Sequence, residues 1–200
     1  MTNALKIIRD EHRSISAVLH ALKQLAKEAE DSSVRPQFEV FRAMIYYIDQ
    51  FPERMHHPKE DQYLFARLEA RAPQAKALLD GLRTEHATGA HLIRDLEQAL
   101  VGMEVGWAGG VSKFRAAVEA YAEFHWKHMR KEEEEVMPLA ERYLTADDWR
   151  EIDAAFAGNK DPIADLREHD FEQLFTRIVS LAPEPIGLGE RWKRVNGTSA

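Results

Sequence analysis

"LLDGLRTEHATGAHLIRDLEQAL", residues 78 to 100, sets the period of the chain. Leu79, Leu82, Gly89, Ile93, Leu96 and Leu100 recur at spacings of three, four or seven, as one buried face of a helix requires. His86 fills the gap in that series. The pattern repeats near the start, where Leu5, Ile8, Ile15, Leu19 and Leu22 form a seam and His12 falls into it. Each seam therefore carries one imidazole where an apolar side chain is expected. Nothing alternates with a period of two over a useful length, so strands are not expected.

Working outward, the periodicity predicts long helices over about 3–29, 35–70, 73–103 and 111–144, with shorter ones over about 146–157 and 162–182. Pro52 and Pro58 predict a bend or break in the second helix and Pro138 a disturbance in the fourth, since proline removes a donor and clashes with the preceding turn. "GMEVGWAGG", 102–110, is a Gly-rich connection. Four long helices with short connections make an all-α, up-down-up-down four-helix bundle with additional C-terminal helices. Residues 1–145 are expected to form the bundle, and residues 146–200 a helical extension and tail packed on the same domain.

Composition narrows the function. A net charge of −7 argues against a nucleic-acid grip, which needs a concentrated positive face. No stretch approaches the roughly 20 apolar residues of a membrane span, and the N-terminus lacks the apolar core of a secretory signal, so the expected location is cytoplasmic. The absence of cysteine removes disulfides, thiolate nucleophiles, iron–sulfur ligation and Cys-based zinc sites. Nine histidines and 34 acids remain as metal-binding resources.

Those resources are arranged twice. "RDEH" ends at His12 and "RTEH" at His86; His56 and Glu60 are four apart, as are His128 and Glu132. A shift of 72 residues superposes His56, Lys59 and Glu60 on His128, Lys131 and Glu132, and a shift of 74 brings Glu11-His12 onto Glu85-His86. Each half thus supplies one seam histidine and one His-x-x-x-Glu. Side chains at i and i+4 share a helix face, so each His/Glu pair can converge on one point. Four imidazoles and two carboxylates buried without partners would cost several kcal/mol each. A pair of metal ions resolves the conflict, and nitrogen with carboxylate oxygen but no thiolate suits iron best, ahead of manganese or zinc.

"RDEHRSI", "MHHPKEDQYLF", "RTEH" and "HMRKEEEEVMP" resemble the four ligand-bearing helices of hemerythrin-like, or HHE cation-binding, domains over about residues 3–144. The resemblance implies a non-haem di-iron centre with an oxo or hydroxo bridge. Carried over by position, the ligands are His12, His56, Glu60, His86, His128 and Glu132, with both glutamates bridging. The chain departs from oxygen-carrying hemerythrins at Ala90, where those have a second histidine on the third helix. His91 lies one position further, about 140° around the helix from His86, and is read as a non-ligand. Glu133 stands where those proteins have an aspartate ligand, but the repeat favours Glu132. The set of four His and two Glu is more similar to the iron-centre-repair and iron-sensing branches, although the cysteine-containing segment of repair proteins is absent.

Other residues carry alternatives. His57 competes with His56 through a pairing with Asp61, with the repeat favouring His56. For His125 the readings are a ligand, a second donor behind the ligands, or an edge residue, and the repeat, which gives it no counterpart, favours the non-ligand readings. Tyr121 is read as a core aromatic with a satisfied hydroxyl. Glu11 and Glu85 are within reach of ligand imidazoles, though adjacent positions usually face elsewhere. The remainder of "KEEEE", 131–135, is read as a solvated acidic face, His20 as surface and His169 as a non-ligand.

The leading expectation is a di-iron protein that binds oxygen, nitric oxide or peroxide in redox or nitrosative stress response or iron handling. The alternatives are a di-iron oxidoreductase consuming peroxide or nitric oxide, and a metal-stabilised helical interaction module. The C-terminal helices are the expected surface for a second copy or another protein.

Overall fold

A computed structural model describes residues 2–157 apart from positions 32 and 34. The helix expected over 162–182, His169 and the 183–200 tail lie outside the described residues. Helix α1 is Asn3–Glu28. Helix α2 spans 38–71 and combines α-helical Phe38–Ile48, His57–Lys59 and Ala66–Arg71 with π-helical Asp49–His56 and Glu60–Phe65. A 3-10 turn, Pro73–Ala75, leads into α3, Lys76–Glu104. Helix α4 spans 110–143, with a π segment, Glu132–Val136, between Gly110–Lys131 and Met137–Tyr143. A fifth helix, α5, is Ala146–Ala157. The chain is all-α, with no strand among the described residues, and none of its described helices is long and apolar enough to cross a membrane.

The prolines widen the helices and do not break them. A proline ring clashes with the carbonyl four residues earlier, which for Pro58 is that of Arg54 and for Pro138 that of Glu134. Both carbonyls lie within π segments, whose wider turn moves them off the ring. Pro52 sits inside the first π segment. The rod from 38 to 71 therefore stays helical through both prolines.

Between α3 and α4, Gly106 and Gly109 adopt positive φ (74° and 71°), the left-handed region that glycine enters without penalty. At Gly110 the helices pass so closely that a Cβ would stand 2.7 Å from the Gly102 carbonyl oxygen. Helix α5 packs on α1 and on the Glu60–Phe65 segment. Its Asp153 accepts a hydrogen bond from the Ala4 backbone N–H (2.7 Å), one of the free donors at the start of α1.

The interior divides into two apolar cores. One gathers Ile15, Leu19, Phe41, Met44, Leu96, Phe114 and Val118 with their neighbours. The other gathers Leu5, Ile8, Phe65, Leu68, Leu79, Leu82, Val136 and Phe156. Each large apolar side chain buried there contributes about 1.5–3 kcal/mol. Between the cores the seams carry His12, His56, Glu60, His86, His128 and Glu132, all buried.

Candidate metal centre

Two helical rules place these six side chains. His12 and His86 sit in the apolar seams of α1 and α3, so packing alone turns them inward. His56 with Glu60 and His128 with Glu132 are i, i+4 pairs on one face of α2 and α4. The halves then meet. His12 Nε2 is 3.1 Å from His56 Nε2, and His86 Nε2 is 3.0 Å from His128 Nε2.

The glutamates lie between these pairs, and each presents one oxygen to either side. Glu60 Oε1 stands 3.5 Å from His56 Nε2 and 4.0 Å from His12 Nε2, while its Oε2 is 3.7 Å from His86 Nε2. Glu132 Oε1 stands 3.1 Å from His128 Nε2 and 3.6 Å from His86 Nε2, while its Oε2 is 3.3 Å from His12 Nε2. His12, His56, Glu60 and Glu132 bring one ligand atom each within 4.8 Å of one another, and so do Glu60, His86, His128 and Glu132. These are two four-ligand groups with both carboxylates in common.

The outer nitrogen of each imidazole is also held. Nδ1–H of His56 donates to Glu11 (2.7 Å) and that of His128 to Glu85 (2.9 Å). Nδ1–H of His86 donates to Asp61 (3.0 Å) and that of His12 to Glu133 (2.8 Å). A carboxylate on Nδ1 fixes the tautomer that leaves the Nε2 lone pair pointing into the layer, the arrangement metal-bound histidines adopt. Lys131 in turn binds the Glu85 carboxylate.

Glu133 is thus no free part of the acidic face expected over 131–135, and Asp61 serves His86, not His57. The pattern behind both is visible in the repeat. Residue 61 falls on 133 under the shift of 72, so an acid follows the inward glutamate in each half. His20 and His91 are exposed, and Tyr121 is a buried aromatic whose hydroxyl donates to Glu53 Oε1 (2.7 Å). His125 is buried and points Nε2 at the same oxygen, 3.3 Å away.

The site is charged at a depth where charge is costly. None of the four oxygens of Glu60 and Glu132 has a well-formed hydrogen bond, although each is buried and faces imidazole. Burial and the adjacent Glu132 push the Glu60 carboxyl well above the usual carboxylate range. Burial also opposes ionisation of Glu132, but His128, His12 and His86 outweigh it and hold that carboxyl well below the range. Burial works against a charged His12, yet Glu132 and Glu133 push its pKa up to about 9. Asp61 and Glu132 likewise overcome burial at His86, to about 9. Without cations, protons must balance this layer. Two divalent ions would satisfy the four orphaned oxygens and the four inward nitrogens together, so the residues fit a metal pair.

A groove of about 620 Å³ runs along α1 and α4 beside this layer. His12, Met129 and Glu133 line its inner side, and Arg13, Lys127 and Arg130 its outer side.

The family described as the hemerythrin HHE cation-binding domain matches residues 3–140, which takes in all six inward side chains and their four outer carboxylates. No curated protein matches the chain.

Proposed function

The chain belongs to the hemerythrin HHE cation-binding domain family, and on that footing we propose that it holds two iron ions and binds oxygen, nitric oxide or peroxide at them. In this reading His12 and His56 would hold one ion and His86 and His128 the other, with Glu60 and Glu132 facing both. The observation that carries it is the set of four buried carboxylate oxygens that lack hydrogen bonds and face imidazole nitrogens. Nitrogen and carboxylate donors without thiolate favour iron. Once bound, the pair supplies a change of redox state and exchangeable coordination positions for a small ligand.

The protein's own part is positioning and exclusion. Glu11, Asp61, Glu85 and Glu133 hold each Nδ1–H and so aim each Nε2 inward, where a bound cation would take the place of the proton that His12 and His86 otherwise carry. The apolar cores above and below keep bulk water from the layer. The groove along α1 and α4 offers a diatomic molecule or peroxide a route to His12.

The test is the metal content and visible spectrum of protein supplied with iron, before and after exposure to oxygen, nitric oxide and peroxide. Two irons per chain with a spectrum that changes stoichiometrically supports a binding protein. Repeated turnover of peroxide or nitric oxide, lost in Glu60→Ala, makes it an oxidoreductase. Failure to take up a metal pair overturns the reading and leaves a helical interaction scaffold.

A further inference from the structure

We infer that His57 supplies a fifth imidazole to the metal pair, on the side held by His86 and His128, so that the two metal positions are chemically unlike. The inference rests on the metal-pair reading above and concerns a residue that the repeat does not supply. Under the shift of 72 residues, His57 falls on Met129 and Glu53 on His125. The duplication that matches the six inward ligands therefore fails at these positions.

His57 is buried, and one of its ring nitrogens lies within 4.8 Å of ring nitrogens of both His86 and His128. Its ring centre is 4.3 Å from that of His86 and 5.3 Å from that of His128, and those two are 4.7 Å apart. Three imidazoles on one face of an octahedral ion, each bonded at about 2.1 Å, place their ring centres about 4.5 Å apart. The three separations bracket that value, and the His57 and His86 planes lie 12° apart, so coordination to a shared ion would turn the His57 ring about its χ2.

The back of the ring also faces a carboxylate, though less closely than in the other four histidines. Each of those has a carboxylate 2.7–3.0 Å from Nδ1, whereas Glu53 Oε2 stands 3.5 Å from His57 Nδ1, which has no formed hydrogen bond. Glu53 is itself fixed, because its side chain is 4% exposed and its Oε1 takes the Tyr121 hydroxyl and faces His125. The space it occupies exists because residue 89 is glycine; a Cβ there would stand 2.9 Å from Oε1. Elements α2, α3 and α4 thus cooperate to hold one more imidazole against the layer, at a cost in buried polarity that a bound cation repays.

Five imidazoles shared between two ions give one position three and the other two. The richer position binds its metal more tightly, so loading proceeds in two steps.

Cobalt(II)-loaded protein tests this without relying on activity. Each coordinated histidine contributes one strongly shifted, solvent-exchangeable ring N–H resonance to the proton spectrum. Five such resonances are expected, and four from a chain holding two cobalt ions overturn the assignment. His57→Gln should reduce the count to four and weaken one of the two binding steps roughly 10-fold or more, with Met129→Leu unchanged in both. A His57→Gln protein with unaltered count and affinities also overturns it. Should that variant fail to fold, the count in the unaltered protein decides alone. A chain that binds no metal pair defeats the proposed function itself, a different result from two ions with four resonances.

Discussion

Glu11 lies one residue before His12, yet its carboxylate closes on His56 of the neighbouring helix, with Oε2 2.7 Å from Nδ1. Glu85, one residue before His86, does the same to His128. Consecutive helical positions are about 100° apart, so when the seam histidine points to the interior its predecessor points along the groove between helices. A glutamate is long enough to reach across. Each seam helix therefore contributes an inward nitrogen and orients a nitrogen on its neighbour.

Removing that orientation should weaken metal binding without unfolding the bundle. Glu11→Gln and Glu85→Gln are expected to bind metal roughly 10–100-fold more weakly. Competition against a coloured chelator measures this, with circular dichroism as the control for helix content. Unchanged affinity in both variants would show that the outer carboxylates do no orienting.

Two glycines on α3 should respond in opposite directions to the same change. A Cβ added at Gly81 meets nothing within 4 Å, so Gly81→Ala should stabilise the protein by up to about 1 kcal/mol through helix propensity. Gly89→Ala would press on Glu53 Oε1, 2.9 Å from the new Cβ, and on His125 Cε1 at 3.3 Å. Disturbing hydrogen bonds to a buried carboxylate costs about 1.5–3 kcal/mol, more than the propensity gain. Urea midpoints should rise for the first variant and fall for the second; two rises would mean that Glu53 is not held where we describe it.

The start of α5 gives a prediction in pH. Thr145 and Asp148 cap each other: Thr145 N–H and its hydroxyl donate to the Asp148 carboxylate, and Asp148 N–H donates to the Thr145 hydroxyl oxygen. Arg71, with those Thr145 donors, holds the Asp148 carboxyl well below the usual carboxylate range. A carboxyl depressed in the folded state contributes stability that is complete above its unfolded value and lost as pH falls through the folded one. Asp148→Asn should therefore cost about 1–2 kcal/mol at neutral pH. The gap between the two proteins should close only below about pH 4. Denaturation curves from pH 3 to 7 check this, and a gap that stays constant into acid would count against the charged cap.

Metal should also register as thermal stability. With free metal a thousandfold above its dissociation constant, binding adds about 4 kcal/mol to the folded state. For a chain of this size that raises Tm by roughly 8–16 °C. Calorimetry with and without a chelator measures it, and equal midpoints for the two samples would mean that the layer holds no ion under those conditions.

The sequence made the helices and the inward set legible because both follow from one period. Once His12 and His86 occupy apolar seams and His56/Glu60 and His128/Glu132 stand four apart, a helix leaves little freedom about where they point. Asp61 and Glu133 were harder to read, because each follows an inward residue and its partner lies on another helix. The π segments were hidden for a related reason. Proline announces a disturbance, but whether the chain kinks or widens depends on the neighbours that hold it straight. Glu53 gave no signal of its own, since its place depends on a missing Cβ at Gly89 and a hydroxyl from Tyr121.

The two apolar cores are joined through a layer that is polar throughout. Van der Waals cohesion is therefore interrupted halfway along the bundle, and without cations the halves hold together chiefly through helix backbone and proton-balanced charge. Cooperative unfolding depends on that plane. Metal-loaded, the protein should open as a single foldon; stripped, its two ends should exchange amide hydrogens independently, with a seam of weak protection crossing all four long helices. The boundary between folding units then cuts across the helices at His12, His56, His86 and His128, and does not follow the order of the chain.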